Sequence, residues 1–593
     1  MEKLEWNLSE LFKSETDFYK EVEKVKILLS NVEKYKKIAI KNSETLLKLL
    51  NIKWNIKKLS NNILVYGFLR YYKNIKSEEC INMKKVGESL NNLVDSSLKF
   101  IDCKIIELGQ ENVNNFIKEN PSLKIYEFEL NNLFRIQKHI VDDEKIRLND
   151  DFISEQLVLY NNLLRDIEYG TITIDGKEIK ITSANFNKYI TSRDRETRRK
   201  TYLVVDEAFK DRSNDFADIL NSIYCCRKEN STLENYTSVL EKSLFEENID
   251  TNIINDLIKI VNKNLYLIQK YIQQKSILLN IDKLCIYDLG VPLDNNLKIK
   301  YTISEAIEII KNALKPLGDD YLSVVDLLLN GHIDALSDDN KHQSITFSWL
   351  DYSFLNFRGS YNDVKNLIHE IGHIVNYYLS KNNQPFIYGD STIFIGEIAS
   401  IVNEILLNKY LYENSKTEEE KIFYLSKEIE NYFISVFKQI MYTELEAELY
   451  SEENIDSQLI SKKYSELLKK YYGDSIIYDE LFKYEWPRLG HLYRHSYYQF
   501  NYATGLLIAN TLVKHLLIDK ILTKEKYIEF LSAGCHDYSL ELLKIIGINL
   551  NNLSDGFEAL EQDIKKLDKV LSKNGGLYVW IWIDKWWKLY WLW

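Results

Sequence analysis

The run His369-Glu370-Ile371-Gly372-His373 holds the side chains of this sequence best arranged for chemistry. At 3.6 residues per helical turn, positions i and i+4 lie about 40° apart on one face, so two imidazoles can share one metal ion. Glu370, one step round, then points toward the side of the ion left open for water. With nine histidines in 593 residues, such a pattern arises by chance about once per hundred chains of this composition. The bland alternative is a pair of hydrogen-bonded core histidines. Two imidazoles at this spacing suit Zn²⁺, one per chain, which needs a third protein ligand and a vacant position if it is to be catalytic. A zinc site of that kind supplies an acidified water, with a pKa of about 7, and polarises a carbonyl. Glu370 is suited to accept the water's proton.

The motif needs a helix, and its flanks supply one. Asn362 and Asp363 are suited to cap and first turn, and Val364, Leu367, Ile368, Ile371, Ile374 and Val375 form an apolar flank. Gly372 is discordant, because glycine inside a helix costs about 1 kcal/mol relative to alanine, and such violations gather at functional sites. Glu397, 24 residues after His373, is the candidate third ligand. It lies in a segment of helical pattern whose apolar face is Ile398, Ile401, Val402, Ile405 and Leu406, with Glu397, Ser400 and Glu404 as a polar stripe. Alone, that stripe reads as a solvated face; beside the motif it reads as ligand supply. Glu404, Ser400 and Asp390 are candidates to hydrogen-bond a ligand imidazole.

The rest of the chain is read for what could position these groups. Net charge is −12, with 45% hydrophobic and 28% charged residues. That balance gives a large buried core and argues against nucleic acid, which wants clustered Lys and Arg. With five prolines and no Gly/Ser-rich linker, a closely knit helical body is expected. The six scattered cysteines form no Cys-x-x-Cys pair and read as small hydrophobes of a reducing compartment. The acidic start MEKLEWNLSELF lacks the basic patch and apolar run of a signal peptide, which implies a cytoplasmic protein. No transmembrane span is expected, since Gly505 to Leu517 is broken by Asn510, Lys514 and His515.

Helical periodicity runs from Trp6 to about Ile167 and predicts helix hairpins. Gly170 to Thr182 predicts a β-hairpin, with Ile172 and Ile174 alternating before Asp175-Gly176 and Ile179 and Ile181 after it. Helix resumes to about Leu329, with a loop at Pro292. Ser344 to Phe357 predicts a strand pair or bent strand ended by Gly359, with Ser353 to Phe357 offering an edge to an extended peptide. Nearly all helix is expected from Asn362 to Lys573. The expected division is an N-terminal helical lobe over 1–195, including the hairpin at 170–182, a catalytic region over 196–573, and an atypical tail over 574–593. The tail carries six of the ten tryptophans; an interfacial membrane anchor, an added tail and a segment covering an apolar groove are its alternatives.

The run NFRGSYNDVKNLIHEIGHIVNYYLSKNNQPFIYGDSTIFIGEIASIVNEILL, from Asn356 to Leu407, resembles the zinc-site region of the oligoendopeptidase F family, thimet-oligopeptidase-like zinc metallopeptidases. WNLSELF, DRETRRKTY, NYTSVLEKSLFEENI, FISVFKQIMYTELEAELY and WPRLGHLYRHSYYQFNYATG resemble family blocks in the same order, covering about residues 4 to 570. The resemblance implies a mainly α, two-lobed helical fold with a deep substrate channel and a small β element near the active site. It implies Glu397 as third ligand, and His491, Tyr498 and Tyr502 as groups placed over the substrate carbonyl. The implied function is zinc-dependent oligoendopeptidase action on short unstructured peptides. A carboxydipeptidase of the same superfamily and an inactive peptide-binding scaffold are the alternatives.

Overall fold

Long helices carry most of the chain, because its apolar residues recur at helical spacing and little else interrupts them. The computed structural model describes residues 4–293, 297, 299–392 and 394–574. These fall into two compact units, one from Met1–Ile140, Ile299–Leu407 and His515–Gly547, the other from Val141–Lys298, Asn408–Lys514 and Ile548–Trp593. The units interleave along the chain. Two of the passages from unit to unit fall inside continuous helices, Ile398–Glu413 and Phe500–Leu517, so no Pro- or Gly-rich linker marks them. The tail for which a membrane-surface role was considered lies, beyond Asn574, outside the described residues.

In the first unit, helices Ser43–Lys73 and Glu78–Leu108 form the expected hairpin. Leu46, Leu50, Ile56 and Ile63 on one, and Leu90, Val94, Leu98 and Ile101 on the other, share a core with Phe18, Val22 and Val25 of helix Glu15–Val32. The same unit holds a three-stranded sheet. Tyr352–Phe357 is its central strand, parallel to Ile333–Leu336 and antiparallel to Phe347–Trp349. This corrects the expectation that Ser353 to Phe357 is an edge; the outer strand near the motif is Phe347–Trp349. Ile333–Leu336 went unread because four residues containing an alanine and an aspartate carry no alternation, and their pairing is long-range. The Lys341 ammonium secures that pairing from inside, donating to Asp334 Oδ1 (2.6 Å), the Leu336 carbonyl (2.7 Å) and the Leu355 carbonyl (2.9 Å). Trp6 lies against Tyr352 and Phe354, and its indole N–H donates to the Ser353 carbonyl at 2.8 Å.

In the second unit the hairpin appears as Thr171–Ile174 paired with Lys177–Lys180. Asp175 and Gly176 take φ of 50° and 75°, the turn geometry their identities predict. Arg198, fully buried, is held by Asp288 at 2.6 Å, and Lys275, also buried, by Glu430 at 2.8 Å, so these two cations do not stand uncompensated. All six cysteines are free; Cys80 and Cys285 are buried, but Cys103 and Cys225 are exposed, against the expectation of uniformly buried thiols. Among the described residues no helix is long and apolar enough to cross a membrane.

Candidate active site

The motif helix runs Tyr361–Asn383 and begins two residues earlier than its sequence signal. Ser360 is the cap and Asp363 its reciprocal partner, completing a capping box. The helix lies directly against Ile398–Glu413 in the first unit. A Cβ on Gly372 would stand 2.4 Å from Ser400 Cα and 2.7 Å from its backbone nitrogen, so glycine is required by a backbone-to-backbone approach. Asn403 clamps the crossing, donating to the Ile368 carbonyl at 3.2 Å while accepting from the Tyr321 hydroxyl at 3.0 Å.

Across this contact His369, His373 and Glu397 converge. The two Nε2 atoms are 3.1 Å apart, and each is 3.4 Å from Glu397 Oε2. A tetrahedral ion with bonds of about 2.0–2.1 Å holds its ligand atoms about 3.3 Å apart. The triangle therefore fits a first-row divalent ion, and all three residues are partly exposed. Glu397 sits in the turn just before helix Ile398–Glu413, one step short of the helical position expected for it. Ser400 Oγ donates to the Glu397 backbone carbonyl at 2.8 Å and to its carboxylate at 3.2 Å, so Ser400 holds the acidic group and not an imidazole.

Glu404 takes the imidazole role. Its Oε1 meets His369 Nδ1 at 2.7 Å and its Oε2 meets the Lys365 ammonium at 3.0 Å. A carboxylate acceptor keeps a proton on Nδ1 and turns Nε2 toward Glu397, so that Nε2 is the nitrogen available to a metal. Burial pushes the His369 imidazolium down, but the hydrogen bond to Glu404 and the charges of Glu404, Glu370 and Glu397 outweigh it and lift it to about 9. Burial likewise raises the Glu397 carboxyl, yet His373 and His369 hold it down at about 2. The pocket draws positive charge, as a cation site must. Asp390 lies in the electrostatic reach of His373, with burial raising its carboxyl.

Glu370 is buried, and its carboxylate accepts from the Ser348 hydroxyl on strand Phe347–Trp349. Ser348 Oγ also lies 2.8 Å from Ser353 Oγ on the central strand. Neither serine was singled out in the sequence. The signal was present: with Ile345, Phe347 and Trp349 alternating, Ser348 must face the opposite side of the strand.

His491, Tyr498 and Tyr502 belong to the second unit, where the structure gathers them. Their ring centroids are 5.9 Å (His491–Tyr498), 5.8 Å (His491–Tyr502) and 5.6 Å (Tyr498–Tyr502) apart. His491 is carried by helix Gly490–Arg494, Tyr502 by Phe500–Leu517, and Tyr498 by the connection between them. Burial, with His495 and Arg494 nearby, lowers the His491 pKa, which favours a neutral ring.

The model of peptidase family M3 matches residues 188–562, a span containing every residue of both groups. The chain belongs to peptidase family M3. As an M3 enzyme it is a metal-dependent endopeptidase of the oligoendopeptidase F type. It is similar to Oligopeptidase PepF of Bacillus subtilis, 27% identical over 588 residues covering 96% of this chain and 87% of the relative. An oligoendopeptidase F homolog of Borreliella burgdorferi is 27% identical over 95% of this chain and 98% of its own. Among solved structures, a chain described as a peptidase from Chlamydophila abortus superposes with a TM-score of 0.88 at 27% identity, over 95% of this chain and 98% of that one. Oligoendopeptidase-F from Enterococcus faecium shares the fold with a TM-score of 0.71 at 24% identity, over 94% and 99%.

Proposed function

We propose that this M3 peptidase is a zinc-dependent oligoendopeptidase cutting internal bonds of short, unstructured peptides, with His369, His373 and Glu397 as metal ligands and Glu370 as general base. The observation that carries the reading is the triangle of two Nε2 atoms and one carboxylate oxygen at 3.1–3.4 Å, with a buried glutamate one step round the same helix. When bound, zinc supplies Lewis-acid polarisation and an acidified water. Glu404 holds His369 in the tautomer that ligation needs, and Ser400 holds Glu397. Ser348 fixes the Glu370 carboxylate, whose free oxygen accepts a proton from water and passes it to the departing amide nitrogen. His491, Tyr498 and Tyr502 are donors for the oxyanion, a reading supported by their mutual contact; losing one such donor typically costs about 10²–10³ in turnover.

The outer strand Phe347–Trp349 offers main-chain groups to an extended peptide, and Ser348 places that strand beside Glu370. An added peptide strand would run past the general base, which suits an unstructured substrate. The test is metal analysis with an internally quenched peptide. Glu370→Gln is expected to retain about one zinc per chain and lose turnover; a Glu370→Gln variant that cleaves normally overturns the assignment. Mass spectrometry of products from a mid-length peptide is expected to show internal cuts, and stepwise loss of C-terminal dipeptides would replace the endopeptidase reading.

A further inference from the structure

Behind the His491–Tyr498–Tyr502 cluster the second unit buries a carboxyl that the proposed chemistry does not use. Glu446, on helix Gln439–Tyr450, is fully enclosed, and its Oε1 accepts the backbone N–H of Tyr497 at 3.0 Å. Its other oxygen meets no hydrogen-bond partner among the described residues. Burial pushes its carboxyl up to about 8, against the pull of the Tyr497 N–H and of Arg227. An apolar side chain would fill this space without the desolvation penalty, so the contact with Tyr497 calls for a reason.

Tyr497 supplies one. Its φ of 51° is left-handed, uncommon for a bulky residue. That turn separates the helix bearing His491 from the helix bearing Tyr502 and swings Tyr498 between them. The surroundings hold the same segment. Tyr450, one helical turn beyond Glu446, stacks on Tyr497 at 5.5 Å and on Tyr224 at 4.0 Å, and its hydroxyl lies 3.0 Å from Ser496 Oγ. Arg227 donates to the carbonyls of Leu492 (3.3 Å) and Tyr493 (2.6 Å).

We propose that Glu446 is a positioning residue for the peptidase reaction: its acceptor oxygen fixes the left-handed turn at Tyr497 and so sets where the Tyr498 hydroxyl stands relative to His491 and Tyr502. The proposal rests on the reading that this cluster assists turnover; Glu446 acts through Tyr497.

The test uses full-length, zinc-loaded enzyme and an internally quenched peptide, comparing Glu446→Gln, Glu446→Leu, Tyr498→Phe and the double variant Glu446→Leu/Tyr498→Phe. Glutamine can accept the same N–H and should keep kcat within about threefold. Leucine should lower kcat about 10–100-fold at unchanged KM and zinc content, and add little to the loss already caused by Tyr498→Phe. A folded, zinc-loaded leucine variant with unchanged kcat, or losses that multiply in the double variant, overturns the proposal. If Tyr498→Phe retains full kcat while Glu370→Gln abolishes it, the role of the cluster has failed and the proposal fails with it. If Tyr498→Phe costs kcat and Glu446→Leu does not, the cluster stands and the proposal alone fails. Should the leucine variant not fold, Glu446→Asp, which withdraws the acceptor by about one bond length, decides by the same comparisons.

Discussion

A single methyl group at position 372 should loosen the metal site. Helix propensity alone favours Gly372→Ala by about 1 kcal/mol. The structure reverses that sign. The added Cβ would meet Ser400 Cα at 2.4 Å, the Ser400 nitrogen at 2.7 Å and the Ala399 carbonyl carbon at 2.9 Å, all backbone atoms with no rotamer to escape into. Ordinary contact begins near 3.4 Å, so the two helices must part by about 1 Å, and overpacking of this kind typically costs about 1–3 kcal/mol. Net destabilisation of up to about 2 kcal/mol is expected after the propensity gain. The same displacement pulls Glu397 and Glu404 away from the imidazoles they face, and zinc affinity should fall about 10–100-fold. Urea unfolding measures the first effect, and zinc retention against graded chelator measures the second. An alanine variant as stable as the parent, with equal zinc retention, would refute the claim that this crossing sets the site.

Other perturbations separate the supporting groups. Glu404→Gln removes the charged acceptor from His369 and should weaken zinc binding about 10–100-fold with the fold intact; equal affinity in a chelator competition contradicts its orienting role. Ser348→Ala should leave zinc content unchanged and lower kcat about tenfold by freeing Glu370, and an unchanged kcat would remove Ser348 from the account. Glu446 predicts a pH effect on stability. Its folded carboxyl titrates at about 8 and its unfolded one near 4.5, so unfolding releases a proton between those values and stability falls as pH rises through that window. The Tm advantage of Glu446→Gln over the parent should be small at pH 5 and grow toward pH 8, approaching a few kcal/mol in stability; an advantage independent of pH would contradict it.

The proximity of His369 and His373 on one helix was legible because i, i+4 spacing is local information, and the hairpin at Asp175-Gly176 was legible because that dipeptide specifies its own turn. The helix start was misplaced by two residues because Ser360, Asn362 and Asp363 are all capping residues, and the choice among them depends on a reciprocal bond. Gly372 announced itself only as an anomaly; its cause, the Ser400 backbone, lies on another helix. The central position of Tyr352–Phe357 was hidden for the same reason, since Ile333–Leu336 becomes a strand through a partner distant in sequence. Glu404 and Ser400 were visible as a polar stripe, but which of them faces an imidazole is decided by the crossing of two helices. The contact of Glu446 with Tyr497 was invisible, because a glutamate amid helical sequence reads as a solvated face until its burial is seen.

The central claim concerns one ion and three side chains. Diffraction from zinc-soaked crystals at the zinc absorption edge tests it most directly. A single strong anomalous peak is predicted about 2.0–2.2 Å from His369 Nε2, His373 Nε2 and a Glu397 carboxylate oxygen. Zinc bound by other side chains in active crystals, or an empty triangle under saturating zinc, would contradict the account.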